Sequence, residues 1–311
     1  MAIHTETYLK TQQVAKALGV SVSTIKRWVD SGALRATRTL GKHRLIRRDE
    51  IEQFAREQGL RFREALIPGP ARVAAVDTDQ VENLMVALRR GRHSEAREIL
   101  LATHDAAGTA VLADQLIRPA LEQIGLDWEA RAIDVFQEHR ATRIVKQVIW
   151  ELIHRTTSAA PAIGSAPLAL GATPEDDPYL LPGLLCELAL RELGWDVMNL
   201  GVNLPLASLA KAVRAHRPAL VWLSVSHLED PALFVREYMA FHRIASTTGA
   251  AVVVGGRALL PELRARIVAA SFGERVAHLA EFARRLRPDA AAPKAPDFSN
   301  PLERPFGRTD P

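Results

Sequence analysis

The sequence predicts a multidomain chain of α and α/β class: a winged helix-turn-helix, a four-helix bundle and a Rossmann-like doubly wound parallel sheet, in that order. Three observations carry the prediction. Near the N-terminus, two short apolar stripes of helical spacing are separated by Gly19 and followed by a basic extended run broken by Gly41. From Val81 to about Arg155 the apolar residues keep a helical period almost without interruption. Beyond the small-residue stretch Ser158 to Pro167 the period changes, and short apolar runs alternate with helical text.

In the head, Val14, Ala17 and Leu18 make the first stripe, with Thr11 placed as its N-cap. Gly19 breaks the backbone and Val20 plugs the turn. Ser21 is suited to cap a second helix with Ile25, Trp28 and Val29 on its inner face. Two short helices joined this way form a helix-turn-helix, whose second helix is free to enter a groove of DNA. Its outward face offers Ser23, Thr24, Lys26 and Arg27: hydroxyls and cations, the groups that bond phosphates and base edges. Two extended runs then flank Leu40-Gly41-Lys42, a basic β-hairpin wing that adds Arg38, Lys42, His43 and Arg44 to the expected DNA contacts. Asp49 with Glu52 three residues later reads as a capping box for a helix bearing Ile51 and Phe54.

Residues from about Arg61 to Asp79, with Pro68-Gly69-Pro70, read as a linker. The stripes that follow are Val81, Leu84, Met85 and Leu88, then Ala96, Ile99 and Leu100. A third runs from Val111 to Ile124 and is ended by Gly125, and a fourth from Val135 to Ile153. Four amphipathic helices with short connections make an antiparallel bundle. Strands are expected at Leu168–Ala172, about Val197–Leu200, Ala219–Val225 and Ala251–Gly256. Helices lie between them at about Leu180–Leu193, Leu206–His216 and Phe234–Ala245, and again near Pro261 and Val276. The divisions are thus 1–60 head, 61–79 linker, 80–156 bundle, 157–287 sheet, and 288–311 a disordered Ala/Pro-rich tail. A ligand crevice belongs at the carboxyl ends of the strands.

Composition narrows the function. A formal charge of only +4 beside a pI of about 9.4 makes the basic character local to the recognition helix and wing. That suits DNA contact better than indiscriminate coating of nucleic acid. Cys186 is the single cysteine, which excludes an intrachain disulfide and a cysteine-cluster metal site, and its apolar setting predicts a buried, inert thiol. No apolar run is long enough to span a membrane, and MAIHTETYLK has no signal-peptide core. The expected location is the cytoplasm, at the nucleoid. No Ser-His-Asp set, metal cluster or phosphate loop supports catalysis, so the chain is expected not to be an enzyme.

With turn, caps and wing in place, the head resembles that of MerR-type regulators, including the variant in which Gly-x-His-Arg closes the wing; here that text is Gly41-Lys42-His43-Arg44. The order of head, bundle and sheet resembles the cobalamin-binding MerR regulators, the CarH/LitR-type photoreceptor repressors. In that family the bundle caps the upper face of the corrin with Trp, nine residues, then Glu-His. This chain has Trp128 followed after nine residues by Glu138-His139, with Val135 between. The resemblance makes these four a ligand pocket: an indole is a flat apolar lid and the Glu-His pair supplies polar handles. Asp134 with Gln137 places the start of the helix bearing Glu138, so Trp128 is expected on the preceding connection.

The lower half departs from the family pattern of Asp or Glu, one residue, His, two residues, Gly. Here the text is Asp177-Pro178-Tyr179-Leu180-Leu181-Pro182, with Tyr179 where the cobalt-ligating His stands. A phenol is a poor cobalt ligand beside a neutral imidazole. The residue after the Trp, a second cobalt ligand in the photoreceptors, is Glu129. Ser224, Ser226, Gly255 and Gly256 match the family's Ser and Gly-Gly positions and complete the expected pocket, in which no protein metal ligand is expected.

The resemblance implies a DNA-binding transcriptional regulator, a repressor, bound to a double-stranded operator as a dimer or tetramer. Its C-terminal half controls that assembly and senses a tetrapyrrole or light without His-ligated cobalt. The cofactor is cobalamin held without a protein His, another tetrapyrrole such as biliverdin or haem, or none. A ligand-independent regulator with a vestigial pocket is the alternative, and a corrinoid carrier subunit of a methyltransferase the more distant one.

Overall fold

The computed structural model describes residues 8–38, 44–60, 76–158 and 166–286. The calls on Lys42, His43, most of the linker and the tail lie outside these residues.

The head contains β1 (Tyr8–Lys10), α1 (Thr11–Leu18), α2 (Val22–Asp30), β2 (Thr37–Arg38), β3 (Arg44–Arg47) and α3 (Arg48–Glu57). Gly19, at φ +69, turns the chain between α1 and α2. Ser21 is the N-cap of α2, its Oγ accepting the Thr24 N–H at 3.1 Å. Leu9, Val14, Ile25, Leu34, Ile46, Ile51 and Phe54 close one core, with Trp28 half-buried against Phe54 at 4.9 Å between ring centroids. The wing pairs antiparallel, Thr37 opposite Leu45 and Arg38 opposite Arg44. Two details differ from expectation. β1 is an added strand pairing with β3 to give the order β1-β3-β2. And α3 starts at Arg48 behind Arg47, so Asp49 and Glu52 both lie inside the helix and Asp49 does not stand at its N-cap.

The bundle is α4 (Thr78–Arg90), α5 (His93–Val111), a π-helical segment (Leu112–Ile117) running into α6 (Arg118–Glu129), and α7 (Val135–Ser158). Asp77 and Gln80 form a reciprocal capping box on α4, and Gly91 closes it in the left-handed conformation. Gly108, at φ 76 and ψ 175, breaks α5 and divides the four stripes into four helical rods. Gly125 does not end the third rod; α6 runs on to Glu129. One glycine inside a helix costs about 1 kcal/mol relative to alanine, less than burial of Ile124 in the bundle core returns.

The third unit is a five-stranded parallel sheet of β4 (Leu168–Ala172), β5 (Asp196–Asn199), β6 (Leu220–Ser224), β7 (Ala251–Gly255) and β8 (Ser271–Gly273), ordered β5-β4-β6-β7-β8. Its helices are α8 (Leu180–Glu192), α9 (Leu206–His216), α10 (Pro231–Thr248), the short α11 (Pro261–Arg264) and α12 (Val276–Leu286). The central strand β6 is wholly buried and its neighbours β4 and β7 nearly so, as parallel strands covered on both faces must be, while the edge strand β5 is partly exposed. Gly171 is required because the Trp222 indole of the neighbouring strand takes the space a Cβ would fill.

Bundle and sheet share a core. Leu181, Leu184, Leu185 and Leu188 of α8 pack into the same cluster as the bundle's leucines and valines. Asp114, on the π segment, accepts the N–H groups of Val276 and Ala277 at 2.9 Å each and so caps α12 from the bundle side. At the other seam His104 and Thr109 both bond the Glu192 carboxylate at the end of α8.

Candidate functional sites: a recognition helix and a capped crevice

In the head, Lys26 and Arg27 stand exposed on α2, one and two residues past the fully buried Ile25. Ser23 is exposed and Thr24 half-buried; their hydroxyls cluster with the Ser21 Oγ at 2.7 and 2.8 Å over the first turn of the helix. The helix therefore begins in a knot of hydroxyls and continues into two cations. That order suits a helix whose N-terminal residues meet the DNA edge. Arg38 and Arg44 are partners across the wing ladder.

The second site is built by helix register. His93 reaches Gln147, and Arg97 reaches Glu151 through two bonds of 2.7 and 2.6 Å, so α5 and α7 run side by side in the same direction. The end of α5 meets the end of α8 at Glu192, so α8 shares that direction. Trp150 lies level with Leu180 and Leu184, where it lines a cleft of about 360 Å³ beside β5. Val135 is fifteen residues earlier on α7, so the first turn of that helix projects roughly 20 Å beyond the start of α8. It thereby overhangs the carboxyl end of the sheet.

That overhang carries Trp128, Val135 and His139, all exposed, with Glu138 half-buried beside them. Trp128 sits on the last turn of α6 and not on the connection after it, a correction that follows from α6 running past Gly125. The helix start near Asp134 is as expected: Asp134 N–H donates to Gln137 at 2.9 Å, and the Asp134 carboxylate accepts the Phe136 N–H at 3.3 Å. Glu138 accepts the Thr142 hydroxyl at 3.0 Å, and its other oxygen lies 3.6 Å from His139. Leu126 and Phe136, which the motif does not name, are also exposed, so the overhang is apolar over four side chains.

Below it, at the carboxyl edge, Tyr179 precedes α8 and is 43 % exposed. Ser224 and Ser226 are buried. The two glycines make close backbone contacts where open space for a ligand was expected. A Cβ on Gly255 would meet the Gly273 carbonyl oxygen at 2.5 Å, and one on Gly256, at φ +120, the Val225 carbonyl oxygen at 2.1 Å. Two residues that sequence reasoning did not place in the site organise this edge. Asp177 is fully buried, its carboxylate accepting the N–H groups of Tyr179, Ser226 and His227. Arg257 lays its guanidinium over the Tyr179 ring, 4.5 Å from the centroid, and donates from Nε to the Ser226 carbonyl at 3.1 Å. The motif text beginning at Asp177 was a signal for the first; nothing local marked Arg257.

Cys186 is half-buried and not fully buried as expected, and its thiol is pushed up to about 12 by burial and by the nearby Asp114 carboxylate. Among the described residues no group of three or more His, Cys, Asp or Glu side chains is placed to hold a metal, and no helix is long and apolar enough to cross a membrane.

The two sites define a class of protein: a helix-turn-helix head joined to a helical cap and a cobalamin-binding type of α/β sheet. Residues 8–59 match the family of the helix-turn-helix domain, and residues 80–152 that of the B12 binding domain. Within that class the chain is homologous to the HTH-type transcriptional repressors CarA and CarH of Myxococcus xanthus. It is 26% identical to CarA over 268 residues, which is 83% of this chain and 89% of CarA. To CarH it is 34% identical over 146 residues, 47% of this chain and 46% of CarH. The monomethylamine corrinoid protein of Methanosarcina barkeri superposes on 68% of the chain and over its own whole length, with a TM-score of 0.53 at 16% identity, a likeness of fold.

The fit of a corrinoid to these residues is divided. Exposed apolar side chains at the end of the bundle suit the upper face of a macrocycle. The lower face finds a phenol under a guanidinium at position 179, which offers cobalt no imidazole.

Proposed function

We propose that the chain is a DNA-binding transcriptional repressor made of head, bundle and sheet, whose body takes a planar macrocycle and sets the assembly state of the head. The observation that carries this reading is the pairing of two unfinished surfaces. α2 exposes Ser23, Lys26 and Arg27 above a closed core, and the bundle leaves Trp128 exposed on the last turn of α6. The homology to two repressors supports the first half, and the B12 binding domain match the second.

The ligand in this reading is a tetrapyrrole: cobalamin held without a protein ligand to cobalt, or one such as haem or biliverdin. Light-driven chemistry through His-ligated cobalt is not part of it, since position 179 is Tyr and position 129 is Glu. One recognition helix and one wing contact few phosphates, so the working unit is a dimer or tetramer on paired half-sites of a double-stranded operator, in the cytoplasm at the nucleoid. A second reading, a body that assembles without ligand, is favoured by one observation: the space at Gly255 and Gly256 is already filled by backbone.

Replacing Lys26 and Arg27 together by Ala tests the head. Loss of two phosphate contacts lowers operator affinity and reduces the slope of log K against log salt by about 2. Gel retardation across a salt series reads both. An unchanged slope removes α2 from the DNA interface.

A further inference from the structure

Three loops meet at the carboxyl ends of β4, β6 and β7, the place where strand order reverses and where open parallel sheets take their ligands. Asp177 ties the first loop to the second through backbone N–H groups alone. The third loop leaves the sheet at Gly256, whose φ of +120 and contact with the Val225 backbone fix the direction in which the next residue departs. That residue is Arg257. Its position is set twice more, by the Nε bond to the Ser226 carbonyl and by the ring of Tyr179 beneath it.

A guanidinium has five N–H donors in a planar fork. Arg257 uses one of them, is exposed, and forms no ion pair with a carboxylate among the described residues. With Nε anchored and one face stacked, the two terminal nitrogens remain as an oriented pair. Such a pair takes the two oxygens of a carboxylate or a phosphate together. His227, on the adjoining loop, is exposed and has only its backbone N–H engaged. A cation fixed by two contacts at the carboxyl edge of the sheet, with its two terminal nitrogens making no bond among the described residues, is organised for an anion.

We propose that Arg257, with His227 beside it, is an anion site at the mouth of the crevice that recognises a carboxylate or phosphodiester group of the ligand. This rests on the reading that the body holds a planar macrocycle. It replaces a bond to the metal at position 179 by a bond to the ligand's periphery, and Tyr179 is the platform that holds the guanidinium in place. Two kinds of group fit: the propionates at the rim of a haem or biliverdin, and the phosphodiester in the nucleotide tail of cobalamin.

The test uses the full chain and titrates native protein, Arg257→Gln and Arg257→Lys by absorbance. The probes are haem, haem dimethyl ester, cobalamin and cobinamide, which lacks the nucleotide tail. Arg257→Gln is expected to lower affinity about tenfold for the ligand carrying the anion, the size of one charge-assisted bond, and to leave its ester or tail-less counterpart unchanged. Sensitivity confined to haem identifies the propionates, and sensitivity confined to cobalamin the phosphodiester. Arg257→Lys recovers part of the loss, because it keeps the charge without the fork. Equal affinity of native and Arg257→Gln protein for every ligand, or an equal loss with and without the anion, overturns the proposal. If the native chain binds no macrocycle, the ligand reading falls on its own. The anion site is then read with inorganic pyrophosphate through the imidazole NMR signals of His227. Shifts present in the native chain and absent in Arg257→Gln sustain it; no shift in the native chain overturns it.

Discussion

The exposed end of the bundle and the carboxyl edge of the sheet are finished to different degrees. On the overhang, Leu126, Trp128, Val135 and Phe136 leave apolar area in water, with the Arg140 guanidinium 5.7 Å from the centroid of the Phe136 ring. Along the edge, the buried carboxylate of Asp177 is satisfied by three N–H groups, and the two glycines are packed by neighbouring backbone. One surface gains from a ligand by the hydrophobic effect; the other keeps its shape without one. Substitutions on the two sides should therefore separate stability from binding, and the lower edge should answer first in stability.

The largest effect is expected at Gly256. An alanine there must hold a φ of +120 and drive its Cβ into the Val225 carbonyl at 2.1 Å. Strain and overlap together should cost about 3 kcal/mol or more, read as a fall in the midpoint of urea unfolding. A loss below about 1 kcal/mol would mean the loop is free to move, and the edge would no longer count as preformed. Asp177→Ala comes next. It removes the acceptor of three buried or half-buried N–H groups and should cost about 2 to 3 kcal/mol by the same measurement.

These two residues also mark how far the sequence could be read. α9 falls at Leu206–His216 as its apolar period predicted, and β4 at Leu168–Ala172, because burial pattern is a local property of the text. Two strands were missed, Tyr8–Lys10 and Ser271–Gly273; three residues are too few to show alternation, and each is defined by its partner across a ladder. The helix past Gly125 was missed for the opposite reason, since a local breaker yielded to tertiary packing. The motif singled out Trp128, Glu138 and His139, which lie on the last turn of α6 and the first turns of α7. Asp177 bonds residues 49 and 50 positions away, and Arg257 bonds one 31 positions away; no spacing rule announces such partners. The Gly-Gly pair was legible as a place without side chains, while what fills that place was not.

A smaller effect, and one that depends on pH, belongs to the seam that fixes the overhang relative to the edge. Burial of His104 opposes its positive charge, but the hydrogen bond and charge of Glu192, aided by Asp105, outweigh burial and hold its pKa above the usual histidine value. Because the folded-state pKa is raised, the stabilisation is fully present below the unfolded pKa of about 6.5 and is lost as pH climbs through the folded value. His104→Ala should cost about 1 to 2 kcal/mol on the acid side and less above neutrality, measured by unfolding at a series of pH values. A cost that is the same at every pH would reduce His104 to a packing residue.

Trp128→Ala should produce the smallest change in stability and the clearest change in binding. The indole is 47 % exposed, so truncation should shift the unfolding free energy by no more than about 0.5 kcal/mol in the ligand-free chain. In the bound chain the same ring would be covered, and losing a flat contact of that size should weaken retention of the macrocycle by about tenfold or more. The ligand-bound minus ligand-free difference in unfolding midpoint measures both at once, because a ligand that binds only the folded state adds stability in proportion to its affinity. For Gly256→Ala the ligand-free midpoint should fall; for Trp128→Ala the ligand-induced increment should fall while the ligand-free midpoint stays. If Trp128→Ala instead lowers the ligand-free midpoint and leaves the increment intact, the overhang is part of the bundle's own packing. The asymmetry between the two sides of the crevice would then have to be assigned to assembly between copies and not to a ligand.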